Sequence, residues 1–413
     1  MKRKIITLTI LSLFLFGLPC MVLAQDSNRS SEIEFIDIPG NGDDIKPFKM
    51  GKTEVTNQQY VDFLNAALLE NKVSVGKIEP TGPKLMRGKQ KTFRAKNQQL
   101  VYDQHGNMIL NLLNIRATGD HNKNGVYDMW EMRNPLNRCM IEYDYDKKKF
   151  NVVDPEKVDW QIYFDNKHLP PEVKTVDSIT NWPELQKFWP KGVNVKGRPV
   201  STWKKADYDK DILFAGPQDL DFNLPTLEEV KNWPVTYIFY KGAKAFIDFY
   251  GFDFPTFYQF RWAKAGGKGY EYGTNDGTIT TKNVVYSGRE LKEYPKLPNG
   301  KFDWHNWPGK AKGHVQAVAS CPPNPYGVYD TSGNVIEWTK TRNSPKTDCE
   351  YRGAPPGFET FITVGGGFAY YKEAQSLAMR CIDTPEMVTN DHFGFGPVSI
   401  LFWFTLYSIC ASI

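Results

Sequence analysis

The chain has 413 residues, enough for one large domain or two small ones, with 41% hydrophobic and 14% aromatic residues. Its formal charge of +4, from 51 basic and 47 acidic residues, gives no reason to expect nucleic acid or an anionic membrane as a partner. With 33 glycines and 27 prolines, it reads as a loop-rich fold packed around aromatic rings.

The N-terminus reads as an export signal over residues 1–24. Met1-Lys-Arg-Lys4 is basic, Ile5 to Phe16 is apolar, and Val22-Leu-Ala24 precedes Gln25 as a small-residue cleavage site. Cys20 invites a lipid anchor, but Pro19 stands where a small residue is expected, so soluble export to the periplasm or cell envelope is preferred. Loss of Lys2, Arg3 and Lys4 with the signal leaves the chain nearly neutral. Cys139, Cys321, Cys349, Cys381 and Cys410 then remain, an odd number that predicts at least one free thiol. No Cys-x-x-Cys occurs, and no His/Cys cluster has zinc spacing.

Thr56-Asn-Gln-Gln59 is a capping box, and Tyr60, Phe63, Leu64 and Ala67 follow at helical spacing, so a helix is predicted from Asn57 to Leu69. Residues 70–230 read as a large insertion. Lys84, Arg87, Lys89, Lys91, Arg94 and Lys96 form a basic stretch there, better read as a solvated loop than as contact with an anionic partner. Met108 to Ile115 is partly strand-like. Met140 to Val153 alternates around Asp146-Lys-Lys-Lys149 and predicts a β-hairpin.

The insertion also carries a cation-loop pattern. Asp120-His-Asn-Lys-Asn-Gly-Val-Tyr-Asp-Met-Trp-Glu131 fits Asp-x-[Asp/Asn]-x-[Asp/Asn]-Gly-x5-Glu. Asp120, Asn122 and Asn124 would give side-chain oxygens, Val126 its carbonyl, Asp128 a water-mediated contact and Glu131 a bidentate carboxylate. Tyr127 departs from the usual aliphatic residue, and flanking helices are not evident. Affinity is expected on the order of 10⁻⁴–10⁻³ M. An Asn/Gly-rich turn would give similar letters.

Further along, a helix is predicted from Ile238 to Tyr250, ended by Gly251. Thr256-Phe-Tyr-Gln259 is a second capping box, opening a short helix that stops at Gly266-Gly267. Pro323-Asn-Pro-Tyr-Gly-Val-Tyr-Asp330 leads through a turn into a short apolar strand. Asp330-x-x-Gly333-x-Val335-x-Glu337 is oxygen-ligand spacing of the kind hard cations require. An ordinary turn with Glu337 on a solvated face is the bland alternative. Gly365–Gly367 reads as backbone freedom for close packing. Residues 397–413 are almost wholly apolar, short for a membrane span, and are read as a buried strand or a membrane-contacting tail.

These segments come in a fixed order: Met50 to Asn65, Asp253 to Gly267, Tyr326-Gly-Val-Tyr-Asp-Thr-Ser-Gly-Asn-Val-Ile-Glu-Trp338, the glycine run, Arg380 and His392-Phe-Gly-Phe395. The set resembles the sulfatase-modifying-factor family, the formylglycine-generating-enzyme-like domain, over about half the chain. The resemblance implies an α+β fold, irregular, loop-rich and C-type-lectin-like, spanning 33–396 around the insertion. It implies a calcium site made by the Asp330 side chain, the Gly333 and Val335 carbonyls and the Glu337 side chain. Asn283-Val284 matches the start of a further family site, but no Asp-Gly follows at the right distance.

Formylglycine-generating members use two cysteines five apart, shortly after Gly-Gly, to hold copper. Here those positions fall at Tyr371 and Ser376, or one residue earlier at Tyr370 and Gln375. Soft Cu(I) requires sulfur ligands, so neither copper nor iron is expected. The six histidines form no iron-binding set. The reading is therefore an exported, calcium-stabilised, non-catalytic binding or scaffold module, similar to gliding-motility-type envelope lipoproteins. Its partner would be an envelope protein or a glycan, with membrane contact through a lipid anchor or the tail and no nucleic acid. The alternatives are a metal-dependent oxidoreductase with an unrecognised site, or a glycan- or peptide-binding protein using Trp304, His305 and Trp307.

Overall fold

The computed structural model describes residues 32–77, 99–111, 116–117, 129–131, 139–158, 194–195, 198–199, 224–293, 314–343, 359–377, 382–386 and 391–399. The expectations for the export signal, Cys20, the basic stretch, Trp304 to Trp307, Cys349, Arg380, Cys381, Cys410 and the tail beyond Ser399 lie outside them. Residues 31–413 form one compact unit. No helix among the described residues is long and apolar enough to cross a membrane.

Strands β1 (Phe35–Ile38) and β2 (Phe48–Gly51) pair antiparallel. Helix α1 (Asn57–Leu69) begins at the predicted capping box. Thr56 Oγ1 accepts the Gln59 amide at 3.2 Å, and Gln59 Oε1 accepts the Thr56 amide at 2.9 Å. Two backbone donors that have no helical partner are thereby satisfied.

The stretch after α1 contains a three-stranded antiparallel sheet, β3 (Val73–Lys77), β4 (Gln99–Asp103) and β5 (Met108–Asn111). Next come the short pair β6 (Arg116–Ala117) and β7 (Met129–Glu131). The predicted hairpin is present as β8 (Ile141–Asp144) and β9 (Lys149–Val152), and Asp144 Oδ1 accepts the amides of Asp146 and Lys147 at its turn. A two-residue pair, β10 (Asn194–Val195) and β11 (Arg198–Pro199), follows.

Helix α2 (Leu227–Lys231) was not among the expected helices, although Thr226 and Glu229 form the same reciprocal box. Helix α3 (Tyr240–Tyr250) starts two residues later than expected, because Ile238 is held in an antiparallel bridge to Leu110. Gly251 ends it at φ 73, a left-handed geometry that glycine adopts without a Cβ penalty. Helix α4 (Phe257–Lys264) opens on the Thr256/Gln259 box as predicted.

The last elements are β12 (Ile336–Arg342), β13 (Thr360–Val364), β14 (Ile382–Pro385), β15 (Phe393–Gly394) and β16 (Val398–Ser399). Four form a sheet in the order β14-β13-β12-β15, with β12 and β15 parallel; β16 joins the edge of β2. Apolar side chains pack on both faces of this sheet. Trp338 and Phe361 join the cluster of α1 and α3, including Phe63, Phe246 and Phe395. Ile362 and Val364 join Phe260 of α4 with Ile38, Phe48, Met50 and Val398. The rings interlock, as in Tyr60 on Phe246 at 5.9 Å and Phe246 against Phe395 at 5.4 Å. Each buried phenylalanine contributes about 1.5–3 kcal/mol.

Candidate functional site

The turn at 330–337 is assembled by partners from four distant segments. Asp330 has φ 54, and its Oδ2 accepts the Ala319 amide at 2.8 Å. Gly333 has φ 93, and a Cβ there would lie 2.5 Å from the Val285 carbonyl oxygen, so no other residue fits. The Gly333 amide donates to Gly365 O at 3.0 Å. Asn334, also left-handed, donates its side-chain amide to Glu54 Oε2 at 2.7 Å and accepts the Gln316 amide at 2.9 Å. The Val335 amide donates to Glu54 Oε1 at 3.1 Å. Glu54 therefore pins the turn from the segment just before α1.

Glu337 is 3% exposed, so the alternative of a solvated face does not hold. Strand alternation places it opposite Ile336 and Trp338. There it accepts a hydrogen bond from the Gly396 amide and feels the Lys264 ammonium of α4. Asp330 is buried as well, and the two carboxylates repel each other.

Burial sets the electrostatics. It pushes Glu54 well above the usual carboxylate range, and the charges of Asp330 and Glu337 push it further. It also raises Asp330, against the pull of the Ala319 amide. Glu337 is raised first by burial and then by Asp330, with Lys264 and the Gly396 amide opposing. Burial pushes Lys264 down to about 7, with Glu337 opposing. Three buried acids thus act on one another, and one buried base, Lys264, acts on Glu337 among them. When all four are ionised, the interior lacks two positive charges, the charge of one divalent cation.

Asp330 and Glu337 are brought together, and Val335 O points toward Gly365. Among the described residues no three acidic, histidine or cysteine side chains converge closely enough to hold a metal alone. A cation here would need the Gly333 and Val335 carbonyls as well as the two carboxylates. That is an all-oxygen set of the kind calcium takes. Glu54 supplies charge and holds the turn. Sequence reasoning missed Glu54 and Lys264; the local signal for Lys264 is a charge amid Trp262, Ala263 and Ala265, whereas Glu54 sits among mostly polar neighbours and has none.

The other predicted loop, 120–131, is not visible in this way. Asp120, Asn122, Asn124, Val126 and Asp128 lie outside the described residues, as does the side chain of Glu131. Only the Glu131 backbone is placed, in β7 opposite Arg116.

The glycine loop abuts the acidic turn. Gln375 is fully buried, and its amide nitrogen donates to the carbonyls of Gly367, Tyr370 and Tyr371 at 3.2–3.3 Å. Its backbone carbonyl accepts from Lys264 Nζ at 2.7 Å and Ser332 Oγ at 2.8 Å. Tyr371 is half-buried and Ser376 buried. In either register, oxygen and amide groups stand where the resemblance places cysteines. Asn283 is occupied in its own loop: its Oδ1 accepts from the Thr280 amide at 2.7 Å, and its Nδ2 donates to Thr278 O at 3.1 Å.

A family model described as the sulfatase-modifying factor enzyme 1-like domain matches residues 18–398. The chain belongs to this family. Its mixed small sheets and short helices are the irregular α+β architecture expected of the sulfatase-modifying-factor fold. A formylglycine-generating enzyme of Thermomonospora curvata is 25% identical over 264 residues, covering 59% of this chain and 73% of that protein. The inactive C-alpha-formylglycine-generating enzyme 2 of Bos taurus is 28% identical over 173 residues, covering 41% of this chain and 51% of its own length. Among solved structures, that of CarF aligns with 90% of this chain and 99% of its own at 14% identity, with a TM-score of 0.37.

Proposed function

We propose that this sulfatase-modifying-factor domain is an exported, calcium-stabilised binding or scaffold module of the cell envelope that does not generate formylglycine. The observation that carries the calcium reading is the buried acidic turn. Asp330 and Glu337 sit with Glu54, the buried Lys264 offsets Glu337, and a divalent cation would close the remaining deficit. Loop 120–131 is proposed as a second, weaker calcium site on its sequence pattern.

The non-catalytic reading is supported by Tyr370, Tyr371, Gln375 and Ser376, none of which offers a thiolate to copper. The bovine relative whose name marks it inactive is consistent with it. The relative named as an enzyme keeps the opposite reading in play, so the test must count redox metals too. Export rests on the pattern of residues 1–24. The envelope partner, a protein or a glycan, is inferred by analogy with family members of that kind.

The test is metal analysis by mass spectrometry on the purified chain from residue 25 onward, equilibrated with Ca²⁺ and trace copper and iron. One or two calcium ions per chain and no transition metal are expected. Stoichiometric copper or iron would overturn the non-catalytic reading, and absence of calcium would overturn the calcium-stabilised reading.

A further inference from the structure

A second constellation lies between the glycine loop and β15. His392 is 5% exposed, stacked on Phe393 at 5.5 Å and edge-on to Phe368 at 6.2 Å. Its Nδ1 lies 3.0 Å from Asp391 Oδ1 and its Nε2 3.4 Å from the Tyr370 hydroxyl. Asp391, as a carboxylate, only accepts, so the network assigns the proton to Nδ1. The Nε2 lone pair then faces the phenol, and Tyr370 donates to it. This order of acid, imidazole and hydroxyl is that of an activated nucleophile, whose contacts are often loose before a substrate binds.

The members are held in place by the fold. The His392 carbonyl accepts the Ile336 amide at 2.7 Å, tying it to β12. The Tyr370 amide donates to Gly367 O at 2.9 Å, and its carbonyl accepts the Ser287 amide at 3.0 Å and Gln375 Nε2 at 3.3 Å. The Tyr370 ring stands at 77° to the imidazole and is only half-buried.

We propose that Tyr370 is a nucleophilic tyrosine that captures the acyl group of a small, neutral activated ester, with His392 as general base and Asp391 as the positioning residue. In the step, Tyr370 Oη attacks the ester carbonyl and an Oη–C bond forms. The bond from that carbon to the leaving oxygen breaks, and the phenolic proton passes to His392 Nε2. The proton then goes to the departing alkoxide or to water, and no oxidant or reductant is needed. An acyl donor fits better than an anionic phosphoryl donor. The imidazole is walled by Phe368 and Phe393, and Lys372 and Lys292 of the adjoining loops are both engaged by Glu290, at 3.3 and 2.6 Å. A single covalent capture does not depend on calcium and is compatible with a binding module.

The experiment is acetylation of the intact chain by p-nitrophenyl acetate, read at each tyrosine by peptide mass spectrometry. Tyr258, 57% exposed, serves as the internal reference. Tyr370 should be labelled faster than Tyr258. His392→Gln should slow labelling at Tyr370 by about 100-fold, the scale of general-base catalysis, and leave Tyr258 unchanged. Asp391→Asn should slow it less, by about 10-fold, because the imidazole that takes the proton remains. Labelling of Tyr370 no faster than Tyr258 in the unmodified protein overturns the proposal, even if neither variant folds. So does a folded His392→Gln variant, with unchanged melting temperature, whose Tyr370 reacts at the original rate.

Discussion

The acidic turn at 330–337 and the glycine loop at 365–377 lie against each other and share backbone bonds, yet they carry opposite chemistry. The Gly333 amide meets Gly365 O, the Phe368 amide meets Asn334 O, and Ser332 holds the Gln375 carbonyl. On one side of this seam the donors are buried carboxylates. On the other they are rings, carbonyls and a buried amide, with no sulfur. Apart from the Ser332 hydroxyl, these seam bonds join main chain to main chain, and neither the carboxylates nor the rings take part in them. Fold and site chemistry are therefore separable here: a glycine loop of this shape stands without a metal-binding thiol pair.

The hardest blow to the comparison falls on the seam. Gly333→Ala would force a Cβ to 2.5 Å from Val285 O at φ 93. A loss of about 3 kcal/mol in urea unfolding is expected from strain and overpacking. A change near zero would mean the turn is free to rearrange.

Next in size is Gln375→Ala. It removes the amide shared by three carbonyls but keeps the backbone oxygen that Ser332 and Lys264 hold. About 2 kcal/mol should be lost, from unmet buried acceptors, in calcium and in chelator alike. A calcium-dependent loss would show the loop to be part of the cation site.

Glu337→Gln sharpens the contrast from the other side. It should abolish most of the rise in melting temperature on adding calcium, and lower stability by about 1–2 kcal/mol at saturating ion, from lost ligand linkage. In chelator it should be neutral or slightly stabilising, because it removes one of three repelling acids. Equal losses in both conditions would remove the calcium reading of this turn. The same comparison at Glu131 tests loop 120–131.

The smallest effect is the pH trend in chelator. Glu54, Asp330 and Glu337 are raised in the fold above 4.5, 3.8 and 4.5, so folding favours their protonated forms. Their contribution is full below those values and is lost as pH rises through the raised ones. Lys264 is depressed from 10.5 to about 7, so its penalty is full below 7 and fades between 7 and 10.5. Stability without calcium should thus fall from mildly acidic toward neutral pH and recover in the alkaline range. Calcium needs deprotonated carboxylates, so its stabilising effect should grow from pH 5 to pH 8. Melting temperatures with and without calcium across that range check this, and a pH-independent calcium effect speaks against it.

Local signals in the sequence proved legible where local bonds decide the structure. The Thr56 and Thr256 boxes fix the starts of α1 and α4, and the alternation around Asp146 to Lys149 fixes the β8–β9 hairpin. The Asp330–Glu337 spacing also located the acidic turn. What could not be read is what only the tertiary fold supplies. Glu54 reaches Asn334 across 280 positions, and Lys264 reaches Gln375 across 111. No spacing rule links such pairs. The expected Ile238 start of α3 falls two residues early for the same reason, since a bridge to Leu110 claims that backbone.

Gly242 of α3 has a further consequence. A Cβ there would lie 1.8 Å from the Ile109 carbonyl, and Tyr60 of α1 donates its hydroxyl to the Gly242 carbonyl at 3.1 Å. Strand β5 thus lies directly on the helix backbone, and Val101, Ile109, Leu110, Ile141 and Phe150 are members of the same core as α1. This makes part of the stretch between α1 and α2 a keystone. Trimming the chain toward a minimal domain by excising residues 73–152 would open a trench along α3 and remove part of the core packed on α1, leaving Phe246 and Phe395 against it. A miniaturised version would have to rebuild that wall before it could fold.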